Sequence, residues 1–262
     1  MQLPAFYTSE AIILGIIVEN VSFESEGFRL LGRVYRPNTP GRFPAVTLCH
    51  GYPGDTKNMD LAEELALNDI AVLIFYYRGA WGSEGNYSFR GLDPSTRDAV
   101  EHLLTQPFVD PLRVGLIGHS LGAVPLAKRL SDDPRLKTGV FMSPAADLRA
   151  FAEGEALETV VSIFLSMGEG KLRGLNADLI RSELPWLLEN LNPVETIRGA
   201  RTPVMVVAGS NDTVTPPELC RSLYEAAGEP KKWVLIDGAD HSFTEHRIPL
   251  IKTVLEWLKE HL

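Results

Sequence analysis

Residues 114–122 read Val-Gly-Leu-Ile-Gly-His-Ser-Leu-Gly, and this stretch decides the fold. Its second half matches G-x-S-x-G, in which a serine stands on a tight turn between a buried strand and a helix. Glycine is needed beside such a turn because a side chain would collide there, and the hydroxyl of Ser120 is pushed outward. Pro125 is expected to bend the following helix slightly. That helix is predicted by apolar residues at helical spacing: Ala123, Leu126, Ala127 and Leu130.

Outward from this turn, short apolar runs alternate with amphipathic segments. Such alternation predicts an α/β fold with a mainly parallel central sheet and helices on both faces, in a single domain over residues 1–262. A hairpin of strands 16–23 and 28–35 opens the chain. The remaining strands are predicted at 45–50, 70–77, 113–118, 138–142, 203–208 and 232–237, with helices at 59–68, from a cap at Asp93, after Ser120, at 217–227 and up to Leu262.

The segment 145–198 interrupts this alternation, because it contains no strand pattern. Two helices are predicted inside it, separated by glycines at 168, 170 and 174; their apolar positions are Leu157, Val160, Val161, Phe164 and Leu165, then Trp186, Leu187 and Leu191. An insertion of this length is either a cap or lid over a site or an additional helical layer. We expect a lid, because the candidate chemistry lies at the same end of the strands.

The composition is that of an acidic globular chain. Among 262 residues, 34 are Asp or Glu and 25 are Lys or Arg, so the formal net charge is −9. Such a chain, with no basic block, suits neither nucleic acid nor an anionic membrane surface. Cys49 and Cys220 cannot build a disulfide framework, and the apolar run 11–18 is too short to span a membrane and is expected to be a strand. We expect a cytoplasmic protein without metal or other cofactor, since its six histidines form no ligand-spaced pair.

Two further residues stand where the chemistry of Ser120 would need them. A serine hydroxyl is a poor nucleophile without a base, and the base needs an acid that orients it. In the chain order serine, acid, histidine, Asp212 follows one predicted strand and His241 follows the next. Sites on open α/β sheets form at the carboxyl ends of strands, where both residues lie. Asp237 and Asp240 remain open as alternatives for the acid.

These residues make the sequence similar to the α/β-hydrolase superfamily over nearly its whole length. It resembles in particular small carboxylesterases of the cinnamoyl or feruloyl esterase type and the catalytic domain of prolyl-oligopeptidase-like enzymes. The resemblance implies a catalytic triad with Ser120 as nucleophile, Asp212 as acid and His241 as base.

The same resemblance covers residues 50–54, His-Gly-Tyr-Pro-Gly, which look like the family's H-G-x-x-G loop. It implies an oxyanion hole made by the backbone amides of Tyr52 and Leu121. His119 is expected to pack beside the serine turn and to stay outside the triad. The aromatic residues Trp81, Phe164 and Trp186 are expected to line a substrate pocket, although aromatic residues are more often core.

The activity that this resemblance implies is hydrolysis of small to medium acyl or aryl esters through an acyl-enzyme. The expected partner is a small-molecule ester, and a homodimer stays open. One alternative is an oligopeptidase-like serine peptidase or amidase, although the chain has no room for the β-propeller that those enzymes usually carry. A second is a non-catalytic hydrolase-fold protein that binds a ligand. Such proteins usually lack a member of the triad, and none is missing here.

Overall fold

The computed structural model describes residues 15–54 and 58–262, so the first four residues of the run 11–18 lie outside it. Its strands are β1 Ile16–Ser25, β2 Phe28–Pro37, β3 Phe43–Cys49, β4 Ala71–Phe75, β5 Val109–His119, β6 Leu136–Met142, β7 Val204–Gly209 and β8 Lys231–Ile236. Its helices are α1 Met59–Leu67, α2 Leu92–Leu104, α3 Ala123–Asp132, α4 Arg149–Ala152, α5 Gly154–Gly168, α6 Ala177–Leu191, α7 Pro193–Thr196, α8 Pro217–Ala226 and α9 Arg247–His261.

The strands form one sheet in the order β1-β2-β4-β3-β5-β6-β7-β8. β1 and β2 make the predicted hairpin, and β2 also runs antiparallel to β4. The other neighbouring pairs, from β4-β3 to β7-β8, are parallel. The prediction of a mainly parallel sheet is therefore confirmed. The parallel strands place the loops that follow β3, β5, β7 and β8 at the same edge of the sheet.

Helices cover both faces of the sheet because neighbouring residues of each central strand are buried on opposite sides. In β5, Leu116 belongs to one buried cluster and Ile117 to the other. The cluster around Ile117 includes α1 and α9 through Leu61, Leu65, Leu250 and Val254. The cluster around Leu116 includes α2, α3 and α8 through Ala99, Val100, Leu126 and Leu223. Burial on both faces explains why these strands read as continuous apolar runs.

The segment between β6 and β7 contains four helices, α4 to α7, where the sequence predicts two. The stretch between α5 and α6 is paired with a loop that follows β4. Ala80 and Leu172 form an isolated antiparallel bridge, and the amide of Trp81 donates to the carbonyl of Lys171 at 3.1 Å. The amide of Arg173 also donates to the carbonyl of Gly79 at 2.8 Å. These bonds fasten the insertion beside the carboxyl edge of the sheet. Within residues 15–54 and 58–262, no helix combines the length and apolar character that a membrane crossing requires.

Candidate active site

Ser120 stands on a strained turn directly after β5. Its φ is +54°, a left-handed conformation that non-glycine residues rarely adopt. A short 3₁₀ turn, Ser120–Gly122, then leads into α3. A Cβ at Gly122 would overlap the carbonyl oxygen of Cys49, and one at Gly118 would lie 2.7 Å from the carbonyl oxygen of Gly122. The glycines that the sequence pattern singled out are therefore required by close backbone contact.

The 3₁₀ turn also changes the position of Pro125 relative to the helix. Because α3 begins at Ala123, Pro125 falls in its first turn, where backbone N–H groups have no intrahelical partner. The missing N–H of Pro125 thus removes no helical hydrogen bond, and the expected cause of a bend is absent at this position.

His241 reaches Ser120 from the loop that follows β8. Its Nε2 lies 3.0 Å from the Ser120 Oγ. The backbone of the same loop is held by His119, whose Nε2 donates to the carbonyl oxygen of His241 at 2.9 Å. His119 therefore packs beside the turn, as expected, and contacts the main chain of the residue that approaches Ser120.

Asp212 lies in the loop that follows β7, and its Oδ2 is 2.9 Å from His241 Nδ1. Its Oδ1 accepts from the amides of Val214 and Thr215, both at 2.9 Å. Burial alone would raise the pKa of Asp212, but hydrogen bonds and charge from His241 and bonds from Thr215 outweigh it and hold the pKa at about 2. The carboxylate is thus ionised at neutral pH and accepts from an N–H at His241 Nδ1.

The two alternative carboxylates have other partners. Asp237 accepts from Ser210 Oγ at 3.1 Å. Asp240 accepts from the amide and hydroxyl of Thr244 at 2.8 and 2.9 Å. Both carboxylates therefore bind within the loops around the histidine, and the carboxylate that contacts His241 Nδ1 is that of Asp212.

The loop 50–54 follows β3 and lies against the serine turn. A Cβ at Gly51 would be 2.9 Å from the Ser120 Cβ, so this close approach requires glycine. Tyr52 lines the space in front of Ser120 with Gly51, while its hydroxyl donates to the carbonyl of Phe164 at 2.6 Å. Leu121 follows the serine directly and is buried. The structure thus brings both residues of the predicted oxyanion hole next to Ser120.

A cavity of about 290 Å³ opens in front of Ser120 and His241. Of the three aromatic residues expected to line a pocket, Trp81 borders this cavity, and its indole N–H donates to the carbonyl of Pro53 at 3.0 Å. The described residues that line it are Gly51, Tyr52, Pro53, Gly54, Trp81, His119, Ser120, Met167, Lys171, His241 and Ser242.

Phe164 and Trp186 are not among the described residues that line this cavity, and their part in a substrate pocket stays a prediction. Phe164 stacks on Tyr52 with ring centroids 4.0 Å apart. The guanidinium of Arg90 lies over the indole of Trp186, with its Cζ 4.7 Å from the centroid of the indole ring. Both rings pack the insertion against the rest of the domain, and the residues that the insertion contributes to the cavity wall are Met167 and Lys171.

The two thiols are not alternative nucleophiles. Cys49 and Cys220 are both free and buried, and burial raises the pKa of each thiol to about 12. In the described part of the chain, no group of three or more histidine, cysteine or carboxylate side chains is arranged to hold a metal ion.

Comparison with known proteins agrees with this geometry. Residues 48–251 match the model of the alpha/beta hydrolase family. The chain belongs to the alpha/beta hydrolase family. An uncharacterized protein of Mycobacterium tuberculosis is 31% identical over 227 residues, which cover 84% of this chain and 70% of that protein.

Solved structures share the fold of this hydrolase-family chain. Est1E from Butyrivibrio proteoclasticus, solved with ferulic acid bound, has a TM-score of 0.75 at 18% identity and covers 92% of this chain and 98% of its own. The acylaminoacyl peptidase of Pyrococcus horikoshii has a TM-score of 0.71 at 16% identity, and the match covers 94% of this chain and 42% of the peptidase. At these identities the likeness establishes the fold.

One polar group of the candidate site was not predicted from the sequence, the hydroxyl of Thr215. Its Oγ1 lies 3.1 Å from His241 Nδ1 and 2.8 Å from Asp212 Oδ2. Its position three residues after Asp212, in a turn, was the available signal, because an aspartate side chain in a turn often hydrogen-bonds to residues that follow it closely in the chain. Met167 and Lys171 also line the cavity, and no local sequence pattern indicated that they would do so.

Proposed function

We propose that this chain is a serine carboxylesterase that hydrolyses small to medium acyl or aryl esters. One observation carries the proposal: a continuous hydrogen-bonded chain links Ser120 Oγ, His241 Nε2, His241 Nδ1 and Asp212 Oδ2 through contacts of 3.0 and 2.9 Å. The serine and the histidine border a cavity of a size that admits a small ester. Membership of the alpha/beta hydrolase family supports the same reaction class.

In the first half of this reaction, Ser120 Oγ attacks the acyl carbon of the ester while His241 Nε2 takes the hydroxyl proton. The tetrahedral intermediate collapses, the bond from the acyl carbon to the alcohol oxygen breaks, and the alcohol leaves with the proton from Nε2. In the second half, Nε2 takes a proton from water, whose oxygen attacks the acyl-enzyme. The carboxylic acid leaves, and Ser120 Oγ regains its proton.

The electrostatics of the site support these steps. Asp212 stays ionised and accepts from His241 Nδ1, which leaves Nε2 with a lone pair toward Ser120. When Nε2 is protonated, the carboxylate stabilises the imidazolium. We assign the oxyanion to the backbone amides of Tyr52 and Leu121, and the start of α3 adds a favourable dipole for negative charge.

We propose that the insertion 145–198 acts as a cap over this site. Met167 and Lys171 border the cavity from the insertion side. Tyr52 connects the cap to the loop beside Ser120 through its bond to the carbonyl of Phe164. A cap fastened in this way would restrict the acyl group by the size of the cavity.

The experiment compares initial rates of the wild type and Ser120→Ala on p-nitrophenyl esters of increasing acyl length. Ser210→Ala serves as the matched control, since its hydroxyl lies in a neighbouring loop and binds Asp237. Ester turnover that survives in the control and disappears in Ser120→Ala supports the proposal. Turnover that persists in Ser120→Ala, or its absence in folded wild type, refutes it.

Aminoacyl p-nitroanilides tested beside the esters separate esterase from peptidase. An esterase gives a much higher kcat/KM on the ester of the same acyl group. Anilide turnover that equals or exceeds ester turnover would favour the oligopeptidase-like alternative. Tight ligand binding without turnover of either substrate would favour the non-catalytic alternative.

A further inference from the structure

Thr215 places a buried hydroxyl against both members of the acid–base pair. The residue is 1% exposed. Its Oγ1 has three polar neighbours: Asp212 Oδ2 at 2.8 Å, Ser143 O at 3.0 Å and His241 Nδ1 at 3.1 Å. Because His241 Nδ1 and Asp212 Oδ2 are themselves 2.9 Å apart, the three atoms form a closed triangle of hydrogen-bond length.

The number of hydrogens on the Thr215 hydroxyl determines which of these neighbours it donates to. The hydroxyl has one hydrogen to donate and lone pairs that accept. Both Asp212 Oδ2 and Ser143 O are acceptors, so they compete for that hydrogen. The carboxylate is the stronger acceptor because it is charged, and its 2.8 Å contact is the shorter of the two. The hydroxyl therefore donates to Asp212, and its lone pair faces the N–H at His241 Nδ1.

We propose that Thr215 is a positioning residue for the acid–base pair of the reaction. This inference rests on the proposed ester hydrolysis. Its hydroxyl holds Asp212 Oδ2 in line with His241 and offers the Nδ1–H a second oxygen. A half-turn of the imidazole about its Cβ–Cγ bond would place a C–H group opposite both oxygens, so the flipped ring loses both acceptors at once. Thr215 thereby favours the ring orientation that directs Nε2 at Ser120.

The backbone of Thr215 strengthens this hold. Its amide donates to Asp212 Oδ1 at 2.9 Å, while its hydroxyl donates to Oδ2. One residue thus contacts both oxygens of the carboxylate and fixes the plane of the group. Thr215 is not among the described residues that line the cavity. Removal of the Thr215 hydroxyl is therefore expected to lower kcat and leave KM nearly unchanged.

The test uses Thr215→Val, which keeps the shape and removes the hydroxyl, and Thr215→Ser, which keeps the hydroxyl. Thr138→Val is the matched control, because Thr138 is also fully buried and its hydroxyl donates to Pro203 O and accepts from Trp257 at a distance from the site. For each protein kcat and KM are measured on p-nitrophenyl butyrate. The rate of covalent labelling of Ser120 by an alkyl fluorophosphonate gives a second readout that needs no ester turnover.

We expect Thr215→Val to lower kcat and the labelling rate by about tenfold to a hundredfold, the range for loss of one hydrogen bond to a charged group, with KM within about twofold. Thr215→Ser restores most of the rate, and Thr138→Val retains it. The inference is overturned if Thr215→Val labels and turns over like wild type, if KM alone rises, or if Thr215→Ser is as slow as Thr215→Val. If Thr215→Val does not fold, a wild-type-like Thr215→Ala variant overturns it in the same way.

The labelling rate separates this inference from the proposed function. If wild type labels at Ser120 but hydrolyses no ester, the ester assignment fails, and the ratio of labelling rates still decides the role of Thr215. If folded wild type neither labels nor hydrolyses, Ser120 is not activated and both proposals fail.

Discussion

The replacement Asp212→Asn tests the acid at the centre of the site, because the local hydrogen bonds dictate how the new amide must lie. Asp212 Oδ1 accepts from the amides of Val214 and Thr215. The asparagine oxygen takes this place, since an NH₂ group there would face two donors. The NH₂ group then faces His241 and donates to Nδ1, which must present a lone pair. The imidazole proton moves to Nε2, where it blocks acceptance of the Ser120 proton.

The size of the effect follows from the two possible amide orientations. Turning the amide over would leave the two backbone donors unpaired, at a cost of about 1–3 kcal/mol each. The orientation that forces the wrong tautomer is therefore strongly preferred. We expect kcat to fall by about 10³- to 10⁴-fold, the range found when a serine–histidine–aspartate site loses the correct tautomer. KM should change little, because Asp212 is not among the described residues that line the cavity.

The assay is the initial rate of p-nitrophenyl butyrate hydrolysis, with enzyme concentration corrected for folded protein by circular dichroism. Asp237→Asn and Asp240→Asn are the matched controls, since both carboxylates lie in the histidine's own segment and bind Ser210 and Thr244. A kcat for Asp212→Asn within tenfold of wild type would refute the reasoning. An equal loss in Asp240→Asn would show that the acid had been assigned to the wrong carboxylate.

Three further outcomes are expected from other contacts. Gly122→Ala should lower Tm by about 5 °C in a calorimetric scan, because the new Cβ overlaps the carbonyl oxygen of Cys49; an unchanged Tm would contradict the packing. The pKa of Asp212 is held at about 2, below its ordinary 3.8, so its contribution to stability is present above that ordinary value and is lost as the pH falls toward 2. Urea unfolding should show the stability advantage of wild type over Asp212→Asn shrinking by about 1 kcal/mol between about pH 5 and about pH 3, and a constant difference would count against the assigned shift. Tyr52→Phe removes the donor to Phe164 and should cost about 1 kcal/mol of unfolding free energy in the same measurement. Its kcat should stay within about threefold of wild type because the group assigned to the oxyanion is the backbone amide; a much larger loss would give the Tyr52 hydroxyl a part in the reaction.

The sequence predicts the placement of Ser120, Asp212 and His241 because each lies in the loop after a buried parallel strand. A strand of this kind has a strong local signal, a short apolar run, and the residue that follows it falls at the carboxyl edge of the sheet. The serine adds a second local signal, since the glycines at 118 and 122 flank it in the sequence pattern, although the backbone that Gly122 approaches is that of Cys49 at the end of β3. Local patterns are therefore sufficient to bring these three residues to one edge.

The pocket could not be predicted in the same way, because its aromatic contacts join distant parts of the chain. Phe164 contacts Tyr52 across 112 positions, and nothing in the helical pattern of the insertion distinguishes a ring that stacks there from one that lines a cavity. The partner of Trp186, Arg90, is likewise distant from it in the sequence. The apolar spacing specifies which face of a helix is buried, but not what it is buried against.

The start of α2 shows how a tertiary contact overrides a local signal. The pair Asp93-Pro94 predicts a helix capped by Asp93. The helix instead begins at Leu92, after a 3₁₀ turn, and Asp93 lies in the first turn. Its carboxylate accepts from two nitrogens of Arg129 in α3, at 2.6 and 3.0 Å. This bidentate ion pair uses the oxygens that a cap would have needed, so the prediction of the cap was wrong.

The strand order also explains why the bonds around the acid–base pair are needed. Ser120 follows β5 and His241 follows β8, so two strands, β6 and β7, lie between them in the sheet. The loops must cross that distance to bring Oγ and Nε2 within 3.0 Å. Asp212, in the loop after β7, accepts from His241 in the loop after the neighbouring β8, and the Thr215 hydroxyl lies 3.0 Å from the carbonyl oxygen of Ser143 after β6. His119, at the end of β5, donates to the backbone of the β8 loop. These contacts join loops that follow different strands, and loss of one is expected to slow the reaction without unfolding the sheet.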